Sequence, residues 1–324
     1  MDRIDWGRPW FAALDAGEAC AGCIADGRLD LGPLNAAAAS RSIRTESGRS
    51  LNFVDARTIG PDGGGAAGYE RRIFGEGRVA TRTSGDGAIH DLFNALIWLR
   101  FPRAKARLNA LQVQALDAPA AAGPVRADGA DATGGERGPG AARGPLRDAI
   151  TLFDESGLVL ATAQPQLLES LSRREWSAAL IAGRARWLAA VRAIPFGHGL
   201  LQKLVAPYKA LTAHAWILPL EPGVPGLPGV PGVPGVPGLH GVPGAPGAHA
   251  EPDRDRIDAA LAEALQAATL AHKPFVPLPV LGIPGWWPEN RDPAFYNDRK
   301  VFRPARAQSS PPADGVAGAR PAAR

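Results

Sequence analysis

Hydrophobic and polar positions divide the chain into patterned stretches separated by segments with no period. Leu51-Asn52-Phe53-Val54-Asp55 reads as a short strand and Tyr69–Phe74 as a second. The flexible turn Gly60-Pro61-Asp62-Gly63-Gly64-Gly65 lies between them. Arg78–Thr83 is placed to pair back on the second strand across Gly75-Glu76-Gly77. Ile89, Leu92, Phe93, Leu96, Ile97 and Leu99 recur at helical spacing and predict the main helix, with Ser84 or Asp86 available to cap it. Phe101-Pro102 ends that helix, because proline removes a backbone donor and restricts the residue before it. Pro102 then suits the first turn of a second helix through Lys105, Leu108, Leu111 and Gln112.

Further on, Ala149–Phe153 and Leu158-Val159-Leu160 flank Asp154-Glu155-Ser156-Gly157, the pattern of a hairpin. Ser172 with Glu175 forms a capping box for a helix through Trp176, Leu180 and Ile181. Trp187–Pro195 is read as strand, Gly197-His198-Gly199 as the opening of a short helix Leu200–Val205, and Leu211–Leu220 as strand. Asp255–Ala271 is an amphipathic helix. Pro274–Pro288 holds too many prolines for a helix, yet its Phe275, Ile283, Trp286 and Trp287 would endanger solubility if left unpacked. An extended strap over the core is expected there. The class that emerges is α+β: a mixed or antiparallel sheet with packed helices, in a single domain with disordered insertions.

Three stretches lose the pattern. In residues 117–144 Ala, Gly, Pro, Asp and Arg alternate without period, and residues 305–324 are similar, so both are expected to be disordered. Residues 222–248 contain eight consecutive Gly-X-Y triplets from Gly223 to Pro246, a collagen-like repeat. A polyproline rod of 24 residues would span roughly 70 Å, whereas flexible coil ends lie only about 27 Å apart. Both flanks belong to one pattern, so a disordered loop fits better than a trimerising rod. Residues 51–116, 145–221 and 251–304 then make one discontinuous domain, preceded by an Ala-rich segment, 1–50, with a short helix expected over Pro9–Ala25.

Composition narrows the class of protein without naming a function. The chain has 324 residues, 45% hydrophobic and 21% charged, enough for one sizeable core once the unpatterned stretches are removed. The net charge is +4, but arginines are scattered beside acids, as in Tyr69-Glu70-Arg71-Arg72, rather than gathered in a stripe interleaved with aromatics. That points away from nucleic acid. Two cysteines exclude a disulfide framework. Trp176–Phe196, the most apolar window, is broken by Arg184, Arg186 and Arg192, which would be costly in a membrane. With no apolar run after Met1-Asp2-Arg3-Ile4-Asp5, the cytoplasm is the default location.

Several runs stand together: His90-Asp91-Leu92-Phe93-Asn94-Ala95-Leu96-Ile97-Trp98-Leu99 with Phe101-Pro102; Leu152-Phe153-Asp154-Glu155-Ser156-Gly157; Phe196-Gly197-His198-Gly199-Leu200; Pro277–Trp286; and Phe295-Tyr296 to Phe302-Arg303-Pro304. In these the chain resembles the DUF3025 family, a domain of unknown function, over about Leu51 to Pro304 outside both insertions. The resemblance implies no activity or cofactor. The Gly-X-Y run departs from the family pattern, and Gln202 stands where that pattern leads one to expect an acid.

Candidate chemistry rests on a few polar residues. His90, Asp91 and Asn94 sit early in the main helix, with His90 and Asn94 on one face. The helix dipole there favours a carboxylate at Asp91 and a neutral base at His90, although an end-capping role is the plainer alternative. Asp154 and Glu155 are paired carboxylates able to divide acid and base roles, or simply to form a turn. His198 lies between glycines that permit close backbone approach, or that serve a turn needing positive φ. Thr212, His214 and Trp216 share the polar face of a strand. No His-x-x-x-His or Glu-x-x-His spacing supports a metal, and Cys20-Ala21-Gly22-Cys23 lacks the context of a redox motif. Two functions follow as expectations. One is a non-catalytic binding or scaffold protein with a protein partner at Trp286-Trp287, slightly preferred because no catalytic spacing is complete. The other is a hydrolase-like enzyme with a pocket of His90, Asp91, Asn94, His198 and Asp154.

Overall fold

Gly157–Thr162 is apolar on both sides, and all six of its residues are buried, as suits the inner strand of a covered sheet. The computed structural model in which it is seen describes residues 4–14, 23–25, 27–60, 65–118, 144–221 and 251–304. The Gly-X-Y run, the tail, nearly all of the 117–144 segment, the centre of the Gly60–Gly65 turn and Cys20 lie outside them.

The chain makes β1 (Asn52–Asp55), crosses through α1 (Ala66–Glu76) and returns as β2 (Arg78–Thr81), parallel to β1 with Phe53 opposite Val79. Tyr69–Phe74 is therefore helix, not the strand its pattern predicts, and β2 pairs with β1 instead. Parallel strands need such a crossover. Gly77 ends α1 at φ 72°, where an added Cβ would collide with the Ser50 carbonyl; only glycine fits. The two predicted helices follow, α2 (Asp86–Arg100) and α3 (Pro102–Asp117), hinged at buried Phe101.

The expected hairpin is replaced by α4 (Pro145–Ser156), which enters β3 (Gly157–Thr162) with no intervening turn. Leu146, Ala149, Ile150 and Phe153 fall at helical spacing behind Pro145, so tertiary burial of that face outweighs the β-like look of Ile150–Phe153. Trp187–Pro195 likewise divides into a helix, Arg184–Ala190, and β4 (Arg192–Pro195). The Ser172/Glu175 box is not formed. Arg174 takes a φ of 54° and breaks the chain there, and the next helical stretch is Ser177–Ala182.

After α5 (His198–Leu204) come β5 (Thr212–Pro219), α6 (Glu251–Ala264) and β6 (Val276–Pro279). The predicted 255–271 helix is interrupted at Gln266, and Ala267–Ala271 forms a separate turn of helix. The sheet order is β4–β3–β5–β6, with β3 parallel to β5 and both outer pairs antiparallel. The protein is α+β, as the pattern implies. Past β6 the proline-rich strap is pinned from inside: Asn290 Nδ2 donates to the carbonyls of Leu281 (2.8 Å) and Ile283 (2.7 Å). The N-terminal segment shares the core, since Phe11 stacks on Phe93 at 5.5 Å and Trp10 is fully buried.

Candidate metal centre

Three helix ends meet on one side of the sheet. His90 comes from the second turn of α2, Asp154 and Glu155 from the last turn of α4, and His198 is the first residue of α5. The glycines around His198 explain the approach. Gly197 has a φ of −72°, and Gly199 does not take the left-handed region either, so positive φ is not their purpose. A Cβ at Gly197 would run into the backbone of Ser156 and Gly157, and one at Gly199 into Glu155 Oε2. The start of α5 is thereby pressed onto the α4–β3 joint, and Phe196 stacks on Phe153 at 4.5 Å to hold it there.

The imidazoles of His90 and His198 meet edge to face, ring centroids 4.4 Å apart. His198 Nε2 lies 3.4 Å from Glu155 Oε1, and its Nδ1 lies 3.6 Å from Asp154 Oδ2. His90 Nδ1 is 3.1 Å from Gln202 Oε1; a carbonyl oxygen only accepts, so that nitrogen carries the proton and Nε2 keeps its lone pair. An outer acceptor on Nδ1, leaving the lone pair on Nε2, is how metal-binding histidines are oriented. His90, Glu155 and His198 each offer one donor atom, and the three lie within 4.8 Å of one another. Ligands about 2.1 Å from a tetrahedral zinc stand about 3.4 Å apart, a spacing the His198–Glu155 pair already has.

Charge around the cluster is balanced by pairing. Lys105, buried, reaches Asp154 Oδ1 at 2.5 Å. Burial pushes the Asp154 carboxyl up, but the Lys105 and His198 charges together with the Lys105 hydrogen bond outweigh it and hold it below the usual range. Glu155 is held low by its hydrogen bond with His198, against the opposing effect of burial. Both stay ionised near neutral pH.

All five residues singled out from sequence, His90, Asp91, Asn94, Asp154 and His198, line one cavity of about 480 Å³. Their roles differ. Asp91 is turned away to Arg82, accepting from its backbone nitrogen (2.7 Å), Nε (2.9 Å) and Nη2 (2.6 Å); bare Gly87 leaves room for that guanidinium. Asn94 Nδ2 donates to the Tyr69 hydroxyl at 3.1 Å. Sequence reasoning left out Tyr69, Glu70, Lys105 and Asn109, and weighed Glu155 as one of a carboxylate pair, for acid–base work or a turn, but not as a metal ligand. Glu70 accepts from Asn109 Nδ2 at 2.7 Å, and burial followed by the Asp154 charge pushes its pKa up to about 7. A signal did exist: Lys105, Asn109 and Gln112 repeat at helical spacing among buried apolar neighbours on α3.

Other singled-out residues lie elsewhere. Trp216 is buried against Phe153 and Phe275, so the strand face expected to be polar is largely covered. His214 is half-buried, with Nδ1 3.0 Å from Ser156 Oγ. Trp286 packs inward on Trp10 at 5.8 Å, and the Arg8 guanidinium lies over both Trp10 and Trp287. No described helix is long and apolar enough to cross a membrane.

The family described as protein of unknown function (DUF3025) matches residues 51–306, most of the chain. Neither a curated protein nor a solved structure matches it.

Proposed function

The chain belongs to the DUF3025 family, and from its geometry we propose that it is a metal-dependent hydrolase whose ion is held by His90, His198 and Glu155. The observation that carries this reading is the convergence of two oriented imidazoles and a carboxylate from three separate helices at one wall of a cavity. Two His, one Glu and an open fourth position suit zinc that activates water. The Gly199 cradle around Glu155 and the outer acceptor Gln202 on His90 fit that use, and the Asp154 carboxylate faces His198 Nδ1 at 3.6 Å, placed to receive its hydrogen bond when an ion draws the ring into position.

An ion held by His90, His198 and Glu155 would supply an activated water for attack on a carbonyl or phosphoryl centre, with cleavage of the bond to the leaving group. The proton given up by water passes to a cavity carboxylate and then to the leaving group. Glu70, with a pKa near 7, suits that exchange. Asp154 serves as a positioning residue through His198 Nδ1, with Lys105 fixing it from behind.

Zinc titration of the chelator-stripped protein tests the reading, followed by hydrolysis of activated carboxylic and phosphate esters. One ion per chain, lost in His198→Ala and His90→Ala, with zinc-dependent turnover, is expected. Stoichiometric zinc that persists in both variants, or no zinc at all, would overturn it. A second reading, a binding role with a partner at Trp286-Trp287, is supported by a cleft of about 340 Å³ bordered by Arg8, Trp287 and Arg291. It is the weaker one, since Trp286 is packed inward.

A further inference from the structure

Below the histidine cluster the cavity reaches a floor made by α1, α2 and α3, and hydrogen bonding on that floor is unbalanced. Asn109 is 5% exposed, and its Nδ2 donates both to the Glu70 carbonyl (3.0 Å) and to Glu70 Oε2 (2.7 Å). A backbone carbonyl can only accept, so this amide cannot be turned round. Its Oδ1 therefore stays in the cavity wall with no hydrogen-bond partner among the described residues. Asn94, 8% exposed, sits beside it on α2 with Nδ2 on the Tyr69 hydroxyl and Oδ1 without a partner; a hydroxyl also donates, so this amide is free to turn. Gln112 Oε1, one turn beyond Asn109, is enclosed and likewise unmatched.

Of these three amides, that of Asn109 is the one its other contacts fix as an acceptor. Among the enclosed side-chain atoms of the cavity residues, the unmatched donors are His198 Nδ1, which faces Asp154, and Arg147 Nε. Leaving a buried amide oxygen unpaired costs about 1–3 kcal/mol, so such atoms are kept where a partner arrives from outside. That partner must present N–H or O–H. An anion is disfavoured at this floor by the Asn109 oxygen and the neighbouring Glu70 and Asp154. The nearby Lys105 is committed to Asp154 and adds no attraction for one.

We propose that this floor is a recognition subsite for a neutral, donor-rich part of the substrate, a polyhydroxyl or carboxamide group, held by Asn109, Asn94 and Gln112. It deepens the hydrolase reading, on which its use in catalysis rests, by giving the substrate an uncharged polar end. The subsite itself stands on the fixed orientation of the Asn109 amide and needs no metal.

Its test is saturation-transfer NMR on the full chain in excess chelator. The probes are xylitol for hydroxyl donors, acetamide for N–H donors, and N,N-dimethylacetamide as a donor-free analogue of the second. Xylitol or acetamide is expected to bind while dimethylacetamide does not, and the stronger of the two identifies the source of the donors. Asn109→Leu should weaken the better probe about tenfold or more. Gln112→Leu, at the cavity edge and less entangled with the fold, should weaken it measurably. Binding of dimethylacetamide as good as that of acetamide, no binding of either donor probe, or unchanged affinity in a folded Gln112→Leu protein would each overturn the proposal. Chelator removes zinc from the experiment, so failure here leaves the metal reading standing, and failure of the zinc titration leaves this one standing.

Discussion

Phe153 and Asp154 are consecutive residues of α4 that face different media. Phe153 stacks on Phe196 and on Phe275, ring planes 20° and 2° apart, and is fully buried in a dry aromatic cluster. Asp154 turns to the opposite side, where Lys105, His198 and the cavity surround it. The dry side is self-sufficient, since every ring there finds apolar partners. The wet side holds carbonyls and ring nitrogens that the described chain does not satisfy, and the same short helix must support both. The contrast teaches that the aromatic cluster is the anvil against which the polar groups are positioned, so damage to the two sides should be separable.

The largest expected effect comes from the dry side. Phe153→Ala should cost about 3–5 kcal/mol in urea denaturation, because the cavity it leaves lies between two stacked rings. A loss below about 1 kcal/mol would mean the stack is not the support. Next is Glu70. Burial raises its pKa to about 7, so its protonated form favours the fold, and that contribution is lost as pH rises from the unfolded carboxylate range through 7. Glu70→Gln does not titrate, so it should be the more stable protein above pH 7, by no more than about 3 kcal/mol, and should match the parent in acid. Urea melts at acidic and at alkaline pH check this; a difference that does not vary with pH would show that Glu70 is not shielded.

Smaller effects sharpen the wet side. Gly199→Ala places a methyl against the movable Glu155 carboxylate and 3.0 Å from the Glu155 carbonyl oxygen, so it should cost some stability while zinc affinity of the folded protein falls about 10–100-fold in a competition titration. Unchanged affinity would remove Glu155 from the ligand set. Arg8→Ala, distant from both faces of α4, should cost only about 0.5–1 kcal/mol in thermal melts through lost stacking on Trp10 and Trp287. A larger loss would show that the N-terminal segment carries more of the fold than its contacts imply.

How much of this could be read in advance depended on how far each element's own pattern extends. α2, α3 and β5 carry long, regular spacings and were legible, as was the helix opening at His198. Tyr69–Phe74 and Ala149–Phe153 are short windows rich in β-formers, and their helical state depends on faces that only the folded neighbours cover. His90, Asp154 and His198 were visible as polar residues near element ends. Their meeting in one pocket was an expectation of the hydrolase reading only, because one candidate ligand comes from each of three helices rather than two from one, so no spacing in the chain announces it. Glu155 was visible as half of a carboxylate pair, but its partner, a histidine on another helix, was not. The amides of Asn109 and Gln112 were legible as polar intrusions on an apolar face, but only the missing partners of their oxygens give them a purpose.

The seam at Gly157, where helix becomes strand with no residues to spare, has a kinetic corollary. Asp154 and Glu155 have no slack of their own; they ride on an inner strand of the sheet, and His198 is clamped to the same seam. A receptor tethered this tightly does not have to wait for a chain rearrangement before it captures an ion or a small molecule. Uptake should therefore rise linearly with ligand concentration in stopped-flow mixing, without the plateau that a slow opening step would impose.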